Sequence, residues 1–335
     1  MARKDLTALA FVCPIRPIFI VGAARSGTTM LGSILGSAKG CLTTPESKFV
    51  TDLVAKADWP AGILHPEGAR SCLASNPNFR NWGVDEDEVF SCLERPTGLR
   101  PLIERVVLTY AARRGRGDVE VWVDHTPQSL FILPYLGKAF PDARFLHLIR
   151  DGRAVGASVL PLHWGPSNIL EAAASWSRQV AAGLAAETSS IFEGRIRRVC
   201  YESLVSDPLT TVASLCEFCE IGFEESMIDG KGFSVPRHAQ DQHWLVGTTP
   251  QASRADNWKQ RLSARQIEIF EAEAGGLLQL LGYATDYWPR AAARTRYEAW
   301  SSRLRKFFFR PYDLARRMRR MYMRFRYLEE IMHRR

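Results

Sequence analysis

The chain has no run of apolar residues near the roughly 18–20 that a membrane-spanning helix needs, although apolar types make up 46% of its 335 residues. That apolar content, with 10% aromatics, is instead expected to fill a globular core. Cysteines number seven, odd and scattered, which argues against a disulfide framework and fits a reducing compartment. The only CxxC, Cys216 and Cys219, lies in an apolar helical stretch with no second ligand pair, so buried thiols are expected there. There is no HExxH and no Asp/Glu cluster at metal spacing, and no metal is expected. Internal repeats and low-complexity linkers are absent too. The length suits one core of about 270–290 residues plus an extension.

A net positive charge is missing from most of the chain. Residues 290–335 hold 15 of the 44 Lys and Arg but only 4 of the 36 Asp and Glu, a local balance of +11. The other 289 residues carry 29 against 32, or −3. The net +8 therefore belongs to the C-terminal tail, and nucleic acid is not an expected partner of the body.

The most informative segment is PIFIVGAARSGTTML (17–31). It reads as a buried strand, a Gly-rich turn and a helix start. Gly22 and Gly27 have the spacing of a nucleotide P-loop, GxxxxGK[ST], but the lysine position holds Thr28, followed by Thr29. Without that lysine the loop loses its reach to the β- and γ-phosphates of a triphosphate. It keeps an anion cradle: the amides of Ser26, Gly27, Thr28 and Thr29 at a helix N-terminus, with their hydroxyls and Arg25 beside them.

Further along, strands are expected at Ile18–Gly22, Val119–Val123, Arg144–Ile149 and Ile196–Tyr201, with a short one ending before TTPESKFV (43–50). Helices are expected at Thr28–Ser37, Leu99–Arg114, Pro127–Phe140, Asp151–Leu160, Ile169–Phe192, Pro208–Glu220 with Asp207 as cap, and from Ser263 to Leu281. Residues 58–98 read as loops and short helices, and 222–256 as irregular. Alternating strands and helices imply an α/β fold with a mainly parallel central sheet flanked by helices. Ligands in such sheets sit beyond the carboxyl ends of the strands.

RSGTT after a strand resembles the sulfate-donor loop of the sulfotransferases that use 3′-phosphoadenosine 5′-phosphosulfate (PAPS). Three more segments resemble that family in its order: FPDARFLHLIRDGRAVGAS (140–158), RIRRVCYESLVSDP (195–208) and NWKQRLSARQIEIFEAEAGGLLQLLGY (257–283). The match covers about residues 17–285 and is closest to the protein- and carbohydrate-modifying type, in a soluble, bacterial-like form. It implies a P-loop-NTPase-like sulfotransferase fold over 17–289, after a lead-in of 1–16 and before the tail of 290–335. It implies PAPS as donor, adenosine 3′,5′-bisphosphate as product and no metal. The family's Golgi members carry an N-terminal anchor; MARKDLTALAFVCPIRP, with its apolar patch broken by Pro14 and Arg16, does not resemble one, so a cytoplasmic location is expected.

The resemblance also assigns residues. Arg25, Ser26, Gly27, Thr28 and Thr29 would hold the 5′-phosphosulfate, and Arg25 would carry charge in catalysis. Arg150 and Ser158 occupy the two 3′-phosphate positions, Tyr201 is brought towards the adenine, and Arg254 lies where a second 3′-phosphate contact falls. The plainer readings are an ordinary Gly turn at RSGTT, a surface Arg150–Asp151 pair and a core tyrosine at Tyr201. Arg153 reads as a solvated helix residue. Two residues compete as general base. Glu46, in TPESKF, resembles the glutamate of the protein- and carbohydrate-modifying members; a carboxylate at a helix start is the alternative. His125, in WVDHTPQSL, replaces the strand-end lysine that touches the transferred group, and would act as base, as a cation, or as a structural histidine. Asp124 is expected to orient the His125 segment. HWGP (163–166) lines the acceptor cleft or ends a helix.

In the tail, Leu314, Met318, Met321, Phe325, Leu328 and Met332 form an apolar seam flanked by Arg316, Arg317, Arg319, Arg320, Arg324 and Arg326. Such a basic amphipathic helix suits the anionic inner face of a membrane, as a peripheral contact. Packing on the body, a homodimer seam and contact with an anionic glycan are the alternatives. The expected function is sulfuryl transfer to an acceptor hydroxyl, carbohydrate or glycolipid favoured. A P-loop-like nucleotide or small-molecule kinase and a non-catalytic membrane adaptor are the competing functions.

Overall fold

The computed structural model describes residues 15–293 apart from 92, 94, 163 and 236–245, together with residues 295 and 298. The chain divides into two units: residues up to Val159 with Ser175–Arg261, and Leu160–Ala174 with the residues from Leu262 onward.

The first unit is built on five strands: β1 (Arg16–Gly22), β2 (Cys41–Thr43), β3 (Val121–Asp124), β4 (Arg144–Ile149) and β5 (Ile196–Cys200). They form one sheet in the order β2-β3-β1-β4-β5, every pair parallel. Phe19 of β1 lies opposite Asp124 of β3 and Phe145 of β4. The chain goes from β1 to the edge strand β2, returns to set β3 between them, then crosses to the other side for β4 and β5. The reversal falls at β1, so the crevice of the switch point opens at its carboxyl end, beyond Gly22.

Side chains alternate along β1 and feed two cores. Phe19 and Val21 join Phe49, Trp82, Trp122, Phe140 and Phe145 on one face; Ile18 and Ile20 join Leu31, Ile34, Leu146, Leu148 and Val199 on the other. Phe19 stacks on Phe145 at 5.3 Å and meets Trp122 and Phe140 edge-on at 5.5 Å. Burial on both faces is what a continuous apolar strand requires.

The helices that matter for the site are α1 (Thr28–Leu35), α2 (Phe49–Lys56), α3 (Leu99–Ala112), α4 (Leu133–Ala139), α5 (Gly152–Val159), α6 (Ile169–Glu187), α7 (Tyr201–Ser206) and α8 (Pro208–Cys219). Asp207 caps α8 as expected, accepting from the Thr210 amide at 3.3 Å. Three expectations are corrected. The helix expected over Pro127–Phe140 is a 3-10 turn, Pro127–Ile132, followed by α4; Pro134, which cannot donate, favours that break. The long helix stops at Glu187, not Phe192. Tyr201 opens α7 instead of ending β5.

In the second unit, Ser263 and Gln266 form a capping box before α9 (Ala264–Leu280). Glu271 is fully buried and accepts the amides of Asp286, Tyr287 and Trp288 at 3.2, 2.6 and 3.1 Å. The apolar seam from Leu314 to Met332 and its flanking arginines lie outside the described residues, as does His163 of HWGP.

Candidate active site

The loop after β1 is shaped by two glycines. Gly22, at φ 155, passes so close to β4 that a Cβ there would stand 2.2 Å from the Leu148 carbonyl oxygen. Gly27, at φ 102, precedes α1 and lies against the Tyr201 ring, 2.8 Å from where a Cβ would be. No side chain caps α1. Leu31 is the first amide to bond back, to Gly27 O at 3.0 Å, so those of Gly27, Thr28, Thr29 and Met30 are left without an intrahelical acceptor. Ser26 is fully buried, and its hydroxyl has no partner among the described residues. A buried orphan hydroxyl beside four such amides fits an anion.

Arg25 sits in the left-handed region at φ 73. Its Nε donates to Ser158 Oγ on α5 at 3.2 Å. Burial depresses its pKa, the charges of Arg150 and Arg261 add to that, and Glu46 opposes it. Arg150, immediately after β4, stacks its guanidinium on the Tyr201 ring at 4.1 Å. It donates to the backbone carbonyls of Arg25 at 3.1 Å and Arg254 at 3.3 Å, while its buried Nε has no partner among the described residues. Its own carbonyl accepts from the Trp176 indole at 3.1 Å. The structure thus gathers Arg25, Arg150, Ser158 and Tyr201 beside the helix N-terminus. Tyr201, 6% exposed, serves as a platform for Arg150. Arg254 enters through its carbonyl, and its Nε donates to Gln251 at 3.4 Å.

Arg153 is corrected outright. It is 4% exposed, pairs with Asp151 through two donors at 3.1 and 2.8 Å and lies over Trp258 at 4.2 Å. Asp151 is therefore committed to Arg153, and the Arg150–Asp151 surface pair does not form.

The ends of β2 and β3 carry the proton-handling candidates. Glu46 follows β2; its Oε2 pairs with Lys48 Nζ at 2.6 Å and its carbonyl accepts from the Trp82 indole at 3.3 Å. His125 follows β3 and is 2% exposed, against Gly32 of α1 and edge-on to Phe233 at 5.1 Å. Neither ring nitrogen has a hydrogen-bond partner of good geometry among the described residues. Burial pushes its pKa down; the charges of Glu46 and Asp124 oppose this. His125 is thus held as a neutral imidazole with a lone pair available, which suits a base better than a cation. Asp124 beside it is pushed up by burial, with the Thr126 hydroxyl and His125 opposing.

Sequence reasoning passed over Lys48, Thr126, Ser47 and Phe233. Lys48 was visible as the basic neighbour of Glu46; the rest carry no signal of their own, and Phe233 is brought in by contacts of Gly232 and Phe233 with Ser33 of α1. Cys216 and Cys219 are buried free thiols, pushed up to about 11 and about 12 by burial. Among the described residues, no group of His, Cys, Asp or Glu could hold a metal ion.

The site thus sets an uncapped helix N-terminus at the switch point of a parallel sheet, with Arg25 and Arg150 beside it and Glu46 and His125 at the neighbouring strand ends. The chain belongs to the sulfotransferase family, whose model matches residues 17–225. It is similar in structure to the sulfotransferase domain from the curacin biosynthetic pathway, with a TM-score of 0.56 and 17% identity over 81% of this chain and 99% of that one. It is also similar to the sulfotransferase domain of the Synechococcus PCC 7002 olefin synthase, with a TM-score of 0.54 and 20% identity over 81% and 96%. At those identities the likeness carries the fold. Among curated relatives it is 25% identical over 222 residues to an uncharacterized protein of Aquifex aeolicus (strain VF5), and 26% identical over 162 residues to the nodulation protein NoeE of Sinorhizobium fredii (strain NBRC 101917 / NGR234). Those matches take in 64% and 48% of this chain but only 26% and 34% of the relatives' own lengths. No helix among the described residues is long and apolar enough to cross a membrane.

Proposed function

We propose that this sulfotransferase moves a sulfuryl group from PAPS to an acceptor hydroxyl, with a carbohydrate or glycolipid favoured, and without a metal. The observation that carries the donor assignment is the conjunction, among the described residues, of the uncapped α1 N-terminus, the Ser26 hydroxyl without a partner and the Arg150 Nε without a partner. PAPS supplies the sulfuryl group, and adenosine 3′,5′-bisphosphate is what remains. Ser26, Gly27, Thr28 and Thr29 hold the 5′-phosphate, and Arg25 neutralises the charge that returns to it as the sulfur–oxygen bond breaks. Arg150 and Ser158, with Arg254 nearby, take the 3′-phosphate, and Tyr201 keeps the Arg150 fork aimed.

Glu46 accepts the proton of the acceptor hydroxyl as its oxygen bonds to sulfur; His125 is the second candidate. The resemblance of Glu46 to the glutamate of the protein- and carbohydrate-modifying members supports the acceptor class. Radiolabelled transfer from PAPS tests this. Glu46→Gln keeps donor binding and loses turnover; full turnover in that variant would pass the role to His125. Donor binding with no transfer to any carbohydrate or lipid acceptor would favour the non-catalytic adaptor.

The tail supports a peripheral contact with an anionic inner membrane face, and hence a cytoplasmic enzyme. Flotation with phosphatidylserine vesicles should depend on its arginines; equal flotation after all six become glutamine contradicts the contact. Sedimentation reports whether the seam makes a homodimer instead.

A further inference from the structure

The carboxylate of Asp124 is buried with three hydroxyl side chains in a closed network. Thr126 Oγ1 donates to Asp124 Oδ1 at 2.7 Å, and Ser129 Oγ donates to Asp124 Oδ2 at 3.4 Å. Thr126 Oγ1 also accepts from the Ser47 backbone amide at 2.6 Å and lies 3.2 Å from Ser47 Oγ. Exposure is 1% for Asp124, 0% for Thr126, 1% for Ser47 and 2% for Ser129.

The direction of these bonds follows from donor counting. A threonine hydroxyl has one proton. The Ser47 amide can only donate, so Thr126 meets it with a lone pair and sends its proton to Asp124. Asp124 is thereby the acceptor that fixes the hydroxyl, and the hydroxyl fixes Ser47, near the end of the loop between β2 and α2. The same loop is pinned at two points before Ser47: Trp122 Nε1 donates to Thr44 Oγ1 at 2.9 Å, and Trp82 Nε1 to Glu46 O at 3.3 Å.

Burying a carboxylate costs free energy that a well-packed apolar group would not. What such a network provides is one fixed geometry. Here it joins the neighbouring strand ends that carry both proton-acceptor candidates: Glu46 directly precedes Ser47, and His125 stands between Asp124 and Thr126. We infer that Asp124, acting through Thr126, is the positioning residue for the Glu46 loop as well as for His125. Among the described residues, the side-chain hydrogen bonds of Asp124 and Thr126 run to each other, to Ser47 and to Ser129 rather than to the 25–29 loop, so their effect falls on the proton-transfer side of the site.

This inference rests on the proposed function and is tested so that the two fail separately. Wild type, Thr126→Val, Thr126→Ser and Asp124→Asn are compared by hydrogen–deuterium exchange over residues 44–48, by the thermal shift with adenosine 3′,5′-bisphosphate, and by bisphosphate release from PAPS with water as acceptor. Thr126→Val, which keeps the shape and removes the hydroxyl, should speed exchange of the loop and slow release by about tenfold to a hundredfold, with the bisphosphate shift unchanged. Thr126→Ser should restore both. Asp124→Asn keeps an acceptor for Thr126 and should be milder than Thr126→Val; it also serves should the valine variant not fold. Unchanged exchange in Thr126→Val, faster exchange with unchanged release, or loss of the bisphosphate shift along with release overturns the positioning role. Absence of any bisphosphate shift in wild type overturns the donor reading instead, and the exchange comparison alone then decides whether Thr126 holds the loop.

Discussion

Replacing Arg150 by alanine separates the clip that the structure shows from the proposed hold on the 3′-phosphate. In the absence of donor, Arg150 clips the Arg25 loop to the turn Ala252–Arg254 through two carbonyls, and rests on Tyr201. Loss of two such bonds and a stacked cation costs about 2 kcal/mol once relaxation and water are allowed for. That lowers Tm by roughly 4 °C. Loss of one charged hydrogen bond to the 3′-phosphate costs a further 1.5–3 kcal/mol, roughly, in binding, so Kd for adenosine 3′,5′-bisphosphate rises about 10- to 150-fold. Calorimetric titration gives Kd and a melting curve without ligand gives the clip. Arg150→Lys keeps charge but loses the planar fork, and should recover part of the affinity. A variant with lowered Tm and unchanged Kd refutes the donor role and leaves Arg150 as a structural clip.

Two further outcomes follow from the geometry. Gly27→Ala places a methyl into the Tyr201 ring at a positive φ, costing about 2 kcal/mol or more and disturbing the cradle; wild-type Tm and bisphosphate affinity in that variant would remove the strain argument. The folded protein resists protonating His125 because burial depresses its pKa below the ordinary 6.5, whereas the unfolded chain takes that proton near pH 6.5. The unfolded state then binds more protons below that pH, so stability falls as pH falls. The Tm of wild type minus that of His125→Asn should become less positive between pH 7.5 and pH 5, and a constant difference would show that His125 is not held neutral.

The frame was legible because buried parallel strands leave continuous apolar runs: Arg144–Ile149 was read to the residue, and Asp207 and Ser263 announced their helices by capping chemistry. β3 was read as Val119–Val123 but runs Val121–Asp124. Periodicity stops at the last valine, and hydroxyls folded back on Asp124, those of Thr126 and Ser129 among them, make a carboxylate tolerable there. Arg153 was misread for a like reason. Asp151 is its neighbour, but Trp258 is brought onto it only by the fold. The uncapped helix start after Gly27 was readable because it needs only the Gly spacing. The contacts around it, such as Tyr201 under Arg150, and those of the neighbouring loop, such as Thr126 with Ser47, depend on partners far apart in the chain, where one sequence carries no pairing signal.

The measurement that bears most directly on the central claim is thermal unfolding of the purified protein with adenosine 3′,5′-bisphosphate and, separately, with Mg-ATP. At about 100 times its dissociation constant a ligand stabilises the native state by roughly 2.7 kcal/mol, a readily visible rise in Tm. A rise with the bisphosphate and none with Mg-ATP is the expected result. A rise with Mg-ATP alone contradicts the sulfuryl-donor site and puts a nucleotide kinase in its place.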